Sequence, residues 1–229
     1  MLQSSLIIFD CDGVLVDTEP LTNRVLAQTI SEAGWEIDAQ YSVTHFKGRN
    51  LNDIHKEVEA HLGQELPDLL DIYRRRMYDA LTADPVPPID GIHKLLDTLD
   101  SMNAHAPDRC VATNAPLKKA TITLTGSKLI DRFAHPTDPA RPTMFSAYEV
   151  GKWKPDPALF LHAAASMGHN PEDCIVVEDS ISGVQAARNA NMRVIGLASL
   201  TPAERLASAG ATQIVESHDE LTHELLLQR

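Results

Sequence analysis

The sequence predicts an α/β fold in which a parallel β-sheet is covered by helices and carries an inserted, all-helical domain. Short apolar runs bounded by turn or polar residues are typical of strands that are buried on both faces. Helical patterns separate several of these runs, which favours parallel pairing through helical crossovers. One long segment after the first run contains helical patterns and no convincing strand.

The predicted strands are four apolar runs: Leu6–Phe9, Cys110–Ala112, Cys174–Val177 and Val194–Leu197. The predicted helices that accompany them lie at 157–167, 182–190 and 202–209. The stretch from Ala134 to Phe145 contains three prolines and is predicted to be an irregular loop.

The strand-free segment carries three predicted helices: Leu21–Ala33, Leu51–Leu62 and Pro67–Leu81. It ends in a proline-rich linker at 84–88, which cannot continue a helix. We therefore expect a Rossmann-like core formed by residues 1–18 and 88–229, and a helical cap domain formed by residues 19–87. Open α/β sheets bind ligands at the carboxyl ends of their strands. An insertion that leaves the first strand there is expected to overhang a site at that edge.

Composition limits the possible partners and compartment. The formal net charge of −12 argues against a nucleic-acid partner, because binding to the phosphate backbone needs a concentrated basic surface. The longest apolar runs are far shorter than the ~20 residues that cross a bilayer, and the N-terminus has no signal-peptide pattern. The three cysteines show neither a disulfide framework nor a metal-ligand spacing. We expect a cytoplasmic protein with no membrane partner and no evident obligate protein partner.

Two carboxylates, Asp10 and Asp12, directly follow the first predicted strand. Carboxylates at the end of a buried strand repel each other and resist desolvation. A divalent metal site, or a carboxylate nucleophile with a neighbouring acid, makes use of such a pair. Gly13 allows a sharp turn or a close approach to a ligand. An ordinary acidic turn is the alternative, since Asp and Gly are common turn residues.

Polar side chains also follow other predicted strands. Thr113 and Asn114 follow the second strand, Lys154 precedes a proline-started helix, and Glu178 and Asp179 follow the third strand. Simpler interpretations are a helix cap for Thr113, a solvated loop position for Lys154, and an N-cap for Asp179 or the serine after it. Together the residues supply carboxylates for a hard metal ion, a nucleophile, and a hydroxyl and a cation for phosphate oxygens. Phosphoryl transfer requires this set.

The chain resembles the haloacid dehalogenase-like hydrolase superfamily over essentially its whole length. The motifs that carry the resemblance are DCDGVLVDT from Asp10, VATN ending at Asn114, GKWKPDP around Lys154 and VVEDSISGVQAA from Val176. The helical insertion is similar to the cap of the branch that contains phosphoglycolate phosphatases and β-phosphoglucomutases.

The resemblance implies four catalytic residues and a substrate-binding role for Asn114. Asp10 would be the nucleophile that forms an aspartyl-phosphate intermediate. Asp12 would be the general acid for the leaving group and then the base for the attacking water. Thr113 and Lys154 would hold the transferring phosphoryl oxygens, and Asn114 would assist through its amide.

The resemblance also implies a Mg²⁺ site. The ion would bind Asp10, Asp179 and the backbone carbonyl of Asp12, with Glu178 contributing directly or through water. Its charge would keep the nucleophile ionised and offset the repulsion between the substrate anion and the carboxylates.

Three features bear on the reaction and its substrate. Asp12 argues against C–Cl cleavage, since a halide leaves without protonation and similar dehalogenases lack this acid. Thr22 stands where β-phosphoglucomutases carry a histidine, which favours simple hydrolysis. Residues 46–50 resemble the substrate-specificity loop of the family, and the residues predicted to bind substrate there are Lys47, Gly48, Arg49 and Asn50. A surface-exposed basic turn is the alternative.

The leading hypothesis is a Mg²⁺-dependent phosphatase that acts on a small phosphorylated metabolite, either a sugar phosphate or a phosphorylated sugar acid. One alternative is a phosphohexomutase similar to β-phosphoglucomutase. The other is a non-catalytic regulatory or binding protein on the same fold, against which the presence of Asp10, Asp12 and Asp179 argues.

Overall fold

The computed structural model describes residues 6–46, 49–135, 138 and 140–227. The chain divides into two compact units, one formed by Met1–Val16 with Pro87–Arg229 and the other by Asp17–Val86. The boundaries expected from the sequence lie at residues 18 and 88.

The first unit contains six parallel strands in the described part of the chain: β1 (Leu6–Phe9), β2 (Asp108–Thr113), β3 (Met144–Ser146), β4 (Cys174–Glu178), β5 (Arg193–Leu197) and β6 (Gln213–Val215). They lie in the order β3-β2-β1-β4-β5-β6. Strand β1 is therefore central, with Leu6 paired to Asp108 of β2 on one side and to Cys174 of β4 on the other. The strands that follow β1 in sequence are added first on one side of it (β2 and β3) and then on the other (β4 to β6). Open α/β sheets form a ligand-binding crevice where the strand order reverses in this way.

Strand β1 is apolar throughout because both faces of the sheet are covered. Its four residues have no exposed surface. Leu6 and Ile8 belong to one large apolar cluster. Phe9 meets the ring of Phe133 edge to face, with 5.8 Å between the ring centroids. Burial on two faces explains why the strand carries no alternation of polar and apolar residues.

The second unit is formed by four helices: α1 (Glu19–Glu32), α2 (Ala39–Phe46), α3 (Leu51–Leu62) and α4 (Leu69–Ala83). Helix α1 packs against both α2 and α4. Helix α3 begins after Asn50, whose side chain caps it, and ends at Gly63 in the left-handed conformation. Within 17–46 and 49–86, the described residues of this unit, no strand is present.

The described part of the first unit also contains seven α-helices: α5 (Ile92–Ser101), α6 (Leu117–Gly126), α7 (Ala147–Val150), α8 (Ala158–Met167), α9 (Ile181–Asn189), α10 (Ala203–Ala209) and α11 (His218–Leu227). Helix α8 packs on β1, β2 and β3, while α9 packs on β4 and β5. The buried side of α8 contains Leu159, Phe160, Ala163, Ala164 and Met167. The predicted fold class, a parallel Rossmann-like sheet with an inserted helical segment, is confirmed.

Two edge strands are missing from the sequence prediction. Strand β3 lies at the end of the stretch predicted to be an irregular loop, so that prediction is wrong for Met144 and Phe145. Positions 136, 137 and 139 of the same stretch lie outside the described residues. Strand β6 at the opposite edge was not predicted at all. Each has three residues and one neighbouring strand, which is too short for a periodic apolar pattern to develop. Of the helices in the described ranges, none is long and apolar enough to span a membrane.

Candidate active site

The polar residues predicted to act together come from four segments at one edge of the sheet. Asp10 follows β1, Thr113 ends β2, and Glu178 ends β4 with Asp179 directly after it. Lys154 lies in the segment between α7 and α8. Because the strands are parallel, their carboxyl ends meet at the same edge.

Three carboxylates form a cluster at this edge. Oxygen atoms of Asp10, Glu178 and Asp179 all lie within 4.8 Å of one another. Gly13 permits this approach, since a Cβ at that position would lie 2.1 Å from Asp179 Oδ2, and its φ of 87° also favours glycine. Oxygen donors at this spacing could hold a hard divalent cation.

The side chain of Lys154 lies against this cluster and is 2% exposed. Its Nζ donates to Asp10 Oδ1 at 2.5 Å, to Glu178 Oε1 at 2.6 Å and to the Ala112 carbonyl at 3.0 Å. The backbone N–H of Lys154 donates to Asn114 Oδ1 at 3.0 Å. The alternative of a solvated loop lysine is therefore wrong. The Asn114 amide oxygen holds the backbone that delivers the ammonium to Asp10.

Glu178 is completely buried and is bonded through both of its carboxylate oxygens. Lys154 donates to Oε1, while the Ser180 backbone N–H and hydroxyl donate to Oε2 at 3.0 and 2.8 Å. The Ser180 hydroxyl in turn accepts from the Gly183 N–H at 3.0 Å and caps helix α9. Of the two N-cap candidates that the sequence left open, the structure selects Ser180.

Burial and mutual repulsion disturb the ionisation of the cluster. Burial raises the pKa of Asp10 to about 7, with Lys154 opposing the rise and Glu178 adding to it. Burial, Glu178 and Asp10 raise the pKa of Asp179 to about 9. Burial by itself would lower the pKa of Lys154, but Asp10 and Glu178 outweigh it and hold that pKa above its ordinary value. An additional cation among these carboxylates would stabilise their ionised forms.

Thr113 is the last residue of β2 and is 2% exposed. Its hydroxyl accepts a hydrogen bond from the Ala115 N–H at 3.1 Å, and the Ser146 hydroxyl donates to the Ala115 carbonyl at 2.7 Å. The residue at the N-cap of α6 is Pro116, so the helix-cap interpretation of Thr113 is wrong. The two hydrogen bonds fix the turn that follows β2.

Comparison with known proteins identifies the family. Residues 7–197 match the profile of the haloacid dehalogenase-like hydrolases. A 6-phosphogluconate phosphatase from Escherichia coli K12 is 32% identical over 193 residues, which cover 82% of this chain and 80% of that protein. The chain belongs to the haloacid dehalogenase-like hydrolase family.

Solved structures agree in fold. A conserved haloacid dehalogenase-like protein of unknown function from Agrobacterium tumefaciens has 33% sequence identity and a TM-score of 0.78, with 98% of each chain covered. A family hydrolase from Deinococcus radiodurans, solved with bound phosphate and sodium, has 26% identity and a TM-score of 0.78 over 100% of this chain and 97% of that one. The predicted family and enzyme class are confirmed: the chain is a haloacid dehalogenase-like phosphoric monoester hydrolase.

One contact of the hydrolase was missed by sequence reasoning. The Nζ of Lys119, in the first turn of α6, donates to Asp12 Oδ2 at 2.8 Å. The side chains are 14% and 28% exposed. A signal was present in the sequence, because Lys118 and Lys119 occupy the start of a helix, where the macrodipole disfavours cations. A nearby anion is expected to offset that cost.

The structure does not test the predicted substrate-binding role of the four cap residues. Lys47 and Gly48 lie outside the described residues. Arg49 and Asn50 lie in the second unit, where Arg49 pairs with Glu57 at 2.7 Å and Asn50 accepts from the Asn52 N–H at 2.8 Å. These contacts give both residues a part in the structure of the helical unit, and their role toward substrate stays a prediction.

Proposed function

We propose that this hydrolase is a Mg²⁺-dependent phosphatase of a sugar phosphate or a phosphorylated sugar acid, and that it acts through an aspartyl-phosphate on Asp10. The observation that carries the proposal is the buried ammonium of Lys154 bonded to Asp10 in the centre of an acidic cluster. The similar 6-phosphogluconate phosphatase supports the substrate class, since its named substrate is a phosphorylated sugar acid.

In the first half-reaction, a carboxylate oxygen of Asp10 attacks phosphorus and the bond from phosphorus to the leaving oxygen breaks. Asp12 gives its proton to that oxygen as it leaves. The Lys154 ammonium offsets the negative charge of the phosphoryl oxygens and the Thr113 hydroxyl donates a hydrogen bond to one of them, while Asn114 holds Lys154 in place through its backbone.

In the second half-reaction, water attacks the phosphorus of the aspartyl-phosphate. Asp12, now ionised, takes a proton from the water, and the bond from phosphorus to the Asp10 oxygen breaks. Inorganic phosphate leaves, and Asp10 and Asp12 return to their starting states.

The acidic cluster fits a magnesium ion. Asp10, Asp179 and the Asp12 backbone carbonyl would hold it, with Glu178 contributing directly or through water. These are hard oxygen donors, and burial raises the pKa of both Asp10 and Asp179, as expected of carboxylates that a cation would stabilise. When bound, the ion supplies positive charge that reduces the repulsion between the phosphate ester and the carboxylates.

The mutase alternative has less support. Thr22 stands where β-phosphoglucomutases carry a histidine, and its hydroxyl donates to the Glu19 carbonyl at 3.3 Å within α1. A threonine engaged with its own helix cannot replace an imidazole as a proton donor or acceptor. The transfer of phosphate to water is therefore favoured over its transfer within a sugar.

The decisive experiment measures phosphate release from sugar phosphates, phosphorylated sugar acids and phosphoglycolate, with Mg²⁺ and with EDTA. We expect metal-dependent release that Asp10→Asn abolishes and that the exposed Asp219→Asn, a matched charge change, retains. Conversion between hexose phosphate isomers without phosphate release would establish the mutase instead. Absence of both reactions would contradict the proposal.

Metal binding is tested separately from activity. We expect Mg²⁺ to raise the melting temperature, because a ligand at 100 times its Kd stabilises the folded state by about 2.7 kcal/mol. Asp179→Asn should remove most of this shift, while Asp219→Asn should retain it. Equal shifts in both variants would place the ion elsewhere.

A further inference from the structure

We propose that Lys119 is a positioning residue for Asp12, holding its carboxyl group in the orientation from which the proton reaches the leaving oxygen. The inference rests on the proposed phosphatase function and adds to it a residue outside the motifs that carry the family resemblance.

The contact joins two segments at the carboxyl ends of the strands. Asp12 lies after β1 and Lys119 lies in the helix after β2, 107 residues apart in sequence. Both side chains are largely buried, with 14% of Lys119 and 28% of Asp12 exposed. A charge-assisted hydrogen bond of 2.8 Å between partly desolvated groups restricts both rotamers more strongly than a surface pair does.

The bond also distinguishes the two oxygens of Asp12. Because Lys119 donates to Oδ2, the proton that Asp12 transfers is carried on Oδ1. In the transfer, the Oδ1–H bond breaks and a new O–H bond forms on the leaving oxygen, which keeps the electron pair of the broken P–O bond. Lys119 keeps all of its protons in this step.

The position of Lys119 has a cost that its contact with Asp12 explains. It occupies the third position of α6, where a cation is disfavoured by about 0.3–1 kcal/mol. Lys118, one position earlier, is exposed and supplies a matched lysine on the same turn. Lys119 is bonded to Asp12, a residue that the proposed mechanism uses.

The choice of leaving group tests the proposal. Sugar alkoxides need a proton to leave, whereas p-nitrophenolate does not, and kcat/KM reports on the steps up to departure of the leaving group. We expect Lys119→Met to lower kcat/KM by about 10- to 100-fold on glucose 6-phosphate, and by less than about 3-fold on p-nitrophenyl phosphate. Lys118→Met should change neither value by more than about 2-fold.

A second variant, Lys119→Gln, and a third substrate, 6-phosphogluconate, distinguish positioning of Asp12 from other roles of Lys119. Lys119→Gln is measured alongside Lys119→Met, and the melting temperature of each confirms folding. Equal losses of kcat/KM on glucose 6-phosphate and on p-nitrophenyl phosphate, in a variant that folds, would overturn the proposal. Lys119 would then bind the transferring phosphoryl group or stabilise the fold. A loss confined to the KM for 6-phosphogluconate would also overturn it, since Lys119 would then bind the substrate carboxylate. If the wild type releases no phosphate from any compound of the full substrate panel, the proposed function itself fails.

Discussion

Gly183 allows Glu178 to reach Lys154, and the substitution Gly183→Ala is expected to disrupt that contact. A Cβ at position 183 would lie 1.8 Å from both Cδ and Oε1 of Glu178, well inside the distance that real Cβ atoms reach. The carboxylate has no exposed surface into which it could turn. The methyl group must therefore push Glu178 away from Lys154 and Ser180.

The expected magnitude follows from three contributions. Alanine in a helix is favoured over glycine by about 1 kcal/mol, so helix propensity alone predicts a stabilised variant. Overpacking costs about 1–3 kcal/mol. Weakening the hydrogen bonds of a buried carboxylate costs a further 1.5–3 kcal/mol or so for each bond to a charged group. The steric and polar costs outweigh the gain in propensity, and we expect a net loss of about 3 kcal/mol together with most of the phosphatase activity.

The assay is urea denaturation of wild type and variant in EDTA, followed by phosphate release in Mg²⁺. Gly168→Ala is the control, because it places the same methyl group at the end of α8, 3.3 Å from Arg141 Nη2 at the far end of a long side chain. Its cost is limited to the left-handed backbone, about 1–2 kcal/mol, and activity should remain.

A double-mutant cycle would refute the reasoning. When Glu178→Ala removes the side chain that the methyl group strikes, Gly183→Ala should become neutral or stabilising by up to about 1 kcal/mol. If Gly183→Ala costs the same in both backgrounds, the clash with Glu178 is not the cause.

Three further predictions concern buried charge, pH and helix capping. Lys154→Met in EDTA should lower the free energy of unfolding by about 3–5 kcal/mol, since a buried carboxylate pair loses its cation, and adding Glu178→Gln should recover part of the loss in urea denaturation. Burial would raise the pKa of Asp100, but Arg109 and Arg132 outweigh it and hold that pKa below its ordinary value. As the pH falls, the unfolded chain therefore takes up a proton at this carboxylate before the folded chain does. Asp100→Asn should therefore cost up to about 1 kcal/mol at pH 7, a small value for a half-exposed pair, and denaturation curves should converge as the pH falls below 3.8. Asn50→Ala should destabilise the second unit by about 1 kcal/mol in thermal unfolding, whereas Asn50→Asp should retain the cap of α3.

The central strands could be predicted from the sequence because burial on both faces leaves a continuous apolar run. Leu6–Phe9 and the run from Cys174 are of this kind, and they form neighbouring strands of the sheet. The edge strand Met144–Ser146 could not be predicted, since three residues after a proline-rich stretch show no period. The helix that follows β2, Leu117–Gly126, was not predicted as an element either.

The active site also has features that the sequence predicted and features that it did not. Local motifs predicted which residue types lie at the carboxyl ends of the strands, because each motif directly follows its own strand. This applies to Asp10 and Asp12 after β1 and to Glu178 and Asp179 at the end of β4. Only the tertiary structure decided their partners. The bond from Lys119 to Asp12 joins residues 107 positions apart, and the space beside Glu178 depends on a glycine in the following helix. Such contacts depend on strand order, register and helix packing, which arise from the whole sheet and leave no periodic trace in any single segment.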